Sequence, residues 1–218
     1  MDEIPAAALE ELAIFPLPDL VLFPSALLRL HIFEPRYRDM IADVLAGSRL
    51  LAVARLRPGY EADYLGRPPV YVTAGLGRCV AAERLPDGRY DIMLRGLARM
   101  VIESELPADK SYRRVRARIL LDERSPRAGQ LGELHGELLA LCDRLADVVS
   151  DGEPLRQLSR VVASPSGCAD LIASELIRDP DARQSLLERL DPAQRLDEVI
   201  EHLSILLAQL GPGNRTVN

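Results

Sequence analysis

Residues 75–106 read GLGRCVAAERLPDGRYDIMLRGLARMVIESEL. Two strand-like runs flank Pro86-Asp87-Gly88, and a third follows Gly96. Pro sets the backbone for the first corner of a turn, Asp bonds its own main chain, and Gly accepts a positive φ, so this tripeptide between apolar runs specifies a hairpin. Downstream, RRVRARILL (113–121) sets Arg114, Arg116 and Arg118 against Val115, Ala117 and Ile119. That period of two is the mark of a half-buried strand.

Beyond residue 121 the period changes to about 3.6, the repeat of an α-helix. Leu131, Leu134, Leu138, Leu141, Leu145 and Val148 form one helical stripe, with Ser125-Pro126 as its expected cap and first turn. Shorter helices are expected near 154–163 and 167–178, and a last one from Asp191-Pro192 to Gly211-Pro212. The change of period predicts a β domain over 1–121, an α-helical subdomain over 122–211, and a frayed tail over 212–218.

Upstream of the hairpin, LAIFPL (12–17), LVLFP (20–24), ALLRLHI (26–32) and LLAVARL (50–56) read as short strands, with Pro16, Pro18 and Pro24 confined to ends, bulges or edges. One helix interrupts them. Pro35 suits a first turn, Tyr37, Met40, Ile41, Val44 and Leu45 recur at helical spacing, and Gly47 closes the segment. Residues 57–70 are a loop by their Gly and Pro content.

Residues 1–121 hold 17 Lys and Arg against 16 Asp and Glu, whereas 122–218 hold 10 against 17. An acidic rear repels polyanions, so only the front half offers a contact for nucleic acid. Arg113, Arg114, Arg116 and Arg118 are the candidates. They either track a phosphate backbone or pair with carboxylates such as Glu103 and Glu105 while their stems cover apolar surface. Aromatic residues are 4% of the chain and Trp is absent, so stacking platforms are scarce.

Catalytic signatures fail in turn. Lys110 is the single lysine, so neither a Walker A loop nor a Ser-Lys protease dyad in a desolvated setting is present in these 218 residues. Gly75 and Gly77 lead into a strand pattern and not the helix a dinucleotide fold requires, and GxSxG is missing. Cys79, Cys142 and Cys168 form no CxxC pair, and His31, His135 and His202 are far apart, so no metal or cofactor site is expected. The acidic, proline-broken start MDEIPAAALEELAIFPLPD lacks the pattern of a secretory signal, and no apolar run reaches the roughly 18–20 residues of a membrane span. A cytoplasmic location is expected.

The combination LAIFPLPDLVLFP (12–24), HIFEPRYRDM (31–40), LPDGRY (85–90) and LRGLAR (94–99) resembles the N-terminal substrate-recognition domain of Lon protease, as do ADLIA (169–173), QSLLE (184–188) and QRLDEVI (194–200). More narrowly, it resembles bacterial stand-alone proteins of that domain. The resemblance covers about residues 11–208. It implies an α+β fold: a PUA-like β pseudobarrel with one inserted helix, followed by a helical bundle. It also implies a non-catalytic module, without the ATPase and protease domains, that binds unfolded or extended polypeptide as a quality-control adaptor. A PUA-like barrel leaves RNA binding as the alternative. Within HIFEPRY, Phe33, Arg36 and Tyr37 are the candidate polypeptide contacts, with an internal Glu34–Arg36 pair as the structural use of the same segment.

Overall fold

The computed structural model describes residues 4–64 and 66–210. The stop expected at Gly211-Pro212 and the tail at 212–218 lie outside them. The chain divides into two compact units, Met1–Leu121 and Asp122–Asn218.

The first unit is built on the hairpin of β4 (Thr73–Arg84) and β5 (Tyr90–Glu105). At its tip Leu85 and Gly88 bond across the turn, and Gly88 takes the positive φ of 83° that the turn needs. Gly96 does not separate two strands as the sequence suggested. β5 runs straight through it, long enough at 16 residues to serve three neighbours. It pairs with β4 on one side, and on the other with β2 (Leu27–Ile32) in its first half and β6 (Arg114–Leu120) in its second. β6 pairs with β1 (Leu12–Leu17), β1 lies parallel to β3 (Leu50–Arg55), and β3 returns to β4. Five strands therefore close a ring, and β2 is appended to it by one edge.

The helix over 34–47 forms as α2 (Pro35–Ala46), with Pro35 in its first turn. It covers one face of β1 and β3. Ala13, Phe15, Leu51 and Val53 pack with Tyr37, Met40, Ile41 and Val44 of α2, while the alternate residues Leu12, Ile14, Leu50 and Ala52 join Leu76, Met100 and Val115 of the other ring strands. Burial on both faces explains why β1 and β3 read as unbroken apolar runs.

LVLFP (20–24) is not a strand. Pro18 and Pro24 bracket it and the ladder positions beside β1 are already taken, so it crosses instead against β4 and β5, with Leu22 and Phe23 fully buried. Gly75 and Gly96 admit it: a Cβ on either would stand 1.9 Å from the carbonyl oxygen of Leu22 or Phe23. A short helix absent from the sequence reading, α1 (Ala6–Glu10), precedes β1.

The second unit is helical: α3 (Leu131–Val148), α4 (Glu153–Val161), α5 (Pro165–Leu176), α6 (Pro180–Glu188) and α7 (Pro192–Leu210). Leu134, Leu138, Leu141 and Leu145 of α3, with Leu196, Val199 and Leu203 of α7, are the buried stripes. Ser125-Pro126 does not start α3. Ser125 accepts a bond from the Arg127 amide in a separate turn, and the helix begins at Leu131. α6 lies outside the helices expected from periodicity, although QSLLE (184–188) within it belongs to the helical segment implied by the resemblance. Asp179 caps it through the amides of Asp181 and Ala182, and Pro180 opens it. The three cysteines are buried free thiols, and burial pushes Cys142 up to about 12. Among the described residues no helix is long and apolar enough to cross a membrane.

Candidate functional site

The residues after β2 make a compact polar knot. The Glu34 carboxylate accepts bonds from Arg36 Nε at 3.0 Å and from the Tyr64 hydroxyl at 3.0 Å. The Arg36 guanidinium then lies over two rings, 4.6 Å from the centre of Tyr37 and 5.3 Å from that of Tyr64. Glu34 and Arg36 thus pair as the sequence suggested, and the pair also fixes Tyr64 from the 57–70 loop.

Arg36 and Tyr37 line a cavity of about 200 Å³ together with Pro16, Leu56, Tyr64, Arg67, Pro68, Lys110, Tyr112 and Arg113. Arg113, buried, donates to the Pro68 carbonyl at 2.7 Å and forms an ion pair with Glu105. Arg67 approaches the same carboxylate at 3.6 Å. Tyr37 is 5% exposed, and its ring packs on Phe15 at 4.5 Å. Burial, only partly offset by Arg36, pushes its hydroxyl up to about 12, so it is a neutral donor at ordinary pH.

On the outer side of the cavity, Asp43 of α2 accepts from the Tyr112 hydroxyl at 2.8 Å and from Lys110 at 3.0 Å. Those bonds hold the Asp43 carboxyl below its ordinary 3.8, and burial together with the Asp43 bond raises Tyr112. A carboxyl depressed in the folded state contributes stability that is fully present above 3.8 and lost as pH falls through the folded value. The Asp43→Asn chain is therefore expected to lose less stability than the parent between about pH 4 and pH 2. Circular dichroism melts across that range check this, and superimposable acid limbs would overturn it.

The four arginines at 113–118 have separate carboxylate partners. Arg113 faces the cavity, Arg114 pairs with Glu11 and Asp109, each at 2.6 Å, Arg116 with Glu10 at 2.6 Å, and Arg118 with Glu103 at 3.3 Å. Each guanidinium already faces a carboxylate. Glu103 and Glu105 were anticipated as partners, but Glu10 and Glu11 depend on α1 and were not.

Phe33 stands apart from Arg36 and Tyr37. It is 61% exposed at the end of β2 and stacks on His31 at 6.4 Å. Leu27, at the other end of the strand, is 57% exposed. β2 pairs with β5 alone, so its outer edge has no strand partner among the described residues. Natural sheets ordinarily cover or charge such an edge. This one exposes Arg29 and His31 along its length, with the apolar Leu27 and Phe33 exposed at its two ends.

The chain matches the model of the ATP-dependent protease La (LON) substrate-binding domain over residues 11–204. It is similar to the Lon protease of Geobacter metallireducens, 28% identical over 198 residues that make up 88% of this chain and 24% of that protein. The Lon protease of Roseiflexus castenholzii is 28% identical over 195 residues, 89% of this chain and 24% of that one. The chain thus spans about a quarter of the length of these curated relatives. Two solved structures share the fold. The Lon N-terminal domain protein from Xanthomonas campestris superimposes with a TM-score of 0.61 at 23% identity, over 88% of this chain and 97% of that one. The N-terminal domain of the Mycobacterium avium complex Lon protease gives 0.67 at 19% identity, over 89% and 98%.

Proposed function

We propose, from the premise that this chain belongs to the family of ATP-dependent protease La (LON) substrate-binding domains, that it is a non-catalytic recognition module for extended polypeptide segments. The observation that carries this reading is the edge of β2 that has no strand partner among the described residues, between exposed Leu27 and Phe33. An extended chain adds to such an edge through main-chain hydrogen bonds, and its alternate side chains meet the apolar residues at the two ends. Strand addition reads backbone more than sequence. That suits a module presented with unfolded clients, as a quality-control adaptor would be.

Nucleic acid is the weaker reading, because Arg113, Arg114, Arg116 and Arg118 are each neutralised by a carboxylate of the same unit. A polynucleotide would have to displace those carboxylates, and its binding would fall steeply with salt.

Fluorescence anisotropy with labelled apolar peptides, alongside light scattering of an aggregating client, tests the proposal. Saturable, salt-tolerant binding is expected, with the amides of β2 gaining hydrogen-exchange protection. The double variant Leu27→Ser, Phe33→Ser should bind about tenfold more weakly, the loss of about 1.4 kcal/mol or more expected when apolar anchors are removed. Neither binding nor suppression of scattering would sink the reading.

A further inference from the structure

We propose that the cavity beside Tyr37 receives a carboxylate of the bound polypeptide, so that the module selects segments by an acidic group as well as by extended backbone. This rests on the polypeptide reading above and names what that reading leaves open.

Every charged side chain that lines the cavity is a cation: Arg36, Arg67, Lys110 and Arg113. The carboxylates that balance them, Glu34, Glu105 and Asp43, contact these cations without lining the cavity. The wall therefore presents donors and holds its acceptors back. Arg67 and Lys110 remain 38% and 46% exposed in their side chains, and their ion pairs, at 3.6 and 3.0 Å, leave donors unspent, since a guanidinium carries five N–H groups and an ammonium three.

Tyr37 is the second, independent pointer. It is nine-tenths buried, it lines the cavity next to Arg36, and no described group hydrogen-bonds its hydroxyl. A hydroxyl that has no protein acceptor keeps its donor available, and an incoming oxygen anion would take it. Charge-assisted bonds from the neighbouring cations would strengthen that contact. The remaining wall, Pro16, Leu56 and Pro68, is apolar, as expected around an aliphatic stem.

Size chooses among anions. At about 30 Å³ per water, a cavity of about 200 Å³ holds roughly six or seven waters, which is room for one residue and its acidic group. A polynucleotide carries charges in series along a rod, and one small cavity cannot follow it.

The carboxylate has two sources on a polypeptide, the chain terminus and an Asp or Glu side chain. Anisotropy with the full chain separates them by using one apolar peptide in four forms: free C-terminal acid, C-terminal amide, and the amide carrying an internal Asp or an internal Asn. At least one acid-bearing form is expected to bind about tenfold more tightly than its neutral twin. The Arg67→Ala, Lys110→Ala double variant should lose that preference. Both side chains are part-exposed, and an unchanged melting curve verifies that the variant is folded. Equal binding of acid and neutral peptides, or a preference that survives the double variant, overturns this inference and leaves recognition at β2 standing. No binding by any of the four peptides overturns the polypeptide reading itself.

Discussion

Replacing Gly96 with alanine is expected to cost the first unit about 4 kcal/mol or more, enough to leave much of the chain unfolded at room temperature if its starting stability is at the low end of the usual 5–15 kcal/mol. The new Cβ would lie 1.9 Å from the Phe23 carbonyl oxygen, well inside the 3.0 Å that Cβ atoms essentially never cross. The obstacle is backbone, so no rotamer change relieves it. Nor can the crossing segment lift away cheaply, because Gly96 accepts from the Ser25 amide at 2.9 Å and donates to the Ala26 carbonyl at 2.8 Å. Overpacking costs about 1–3 kcal/mol, and each buried backbone group left without a partner about 1–3 more. Gly75→Ala should behave alike, since its Cβ would meet the Leu22 carbonyl oxygen at the same 1.9 Å. The control is Gly136→Ala in α3, where nothing lies within 4 Å; it should stabilise by about 0.5–1 kcal/mol through helix propensity alone. Urea unfolding followed by circular dichroism orders the three, and an unchanged midpoint for Gly96→Ala would refute the mechanism.

The same crossing shows where sequence reading stopped. Strands β1, β3 and β6 and the Pro86-Asp87-Gly88 hairpin are legible because local chemistry and local pairing agree. LVLFP has the same apolar composition as β1, yet what decides its fate is that β4 and β5 carry glycines where its backbone must pass, which no window on residues 20–24 contains. α6 was legible and missed. Asp179-Pro180 is the same cap-and-first-turn signal as Asp191-Pro192. Within the candidate site, Arg36 and Tyr37 could be singled out because they sit in one short motif. Tyr64, Lys110, Tyr112 and Arg113 reach it from segments 27 or more positions along the chain, and the Glu10 and Glu11 partners of Arg116 and Arg114 are 106 and 103 positions away. Side chains that meet only through the closing of the barrel leave no periodic trace.

The other large effect is expected in the second unit, at Arg195. Its side chain is wholly buried, and its Nε faces Asp170, itself 2% exposed, at 3.1 Å. The remaining nitrogens reach Asp122 at 2.9 Å and the Arg189 carbonyl at 2.8 Å, so one guanidinium ties α7 to α5, to the start of the unit and to the residue after α6. Arg195→Met keeps the aliphatic stem but deprives the buried Asp170 of its cation, which should cost about 3–5 kcal/mol. Arg195→Lys should fall between, because a single ammonium keeps the charge but cannot span three partners in the guanidinium's plane. Removing both charges tests the cause. If the loss comes from a stranded carboxylate, Arg195→Met with Asp170→Leu should recover most of it, since apolar residues of similar volume often replace a buried pair without net cost. If the loss comes from the stem's packing or the bond to the Arg189 carbonyl, the double variant will be no better than the single one. A double-mutant cycle in urea reads the difference directly: a coupling within about 0.5 kcal/mol of zero would mean that Asp170 does not depend on Arg195, and that this buried pair is not what holds α5 to α7.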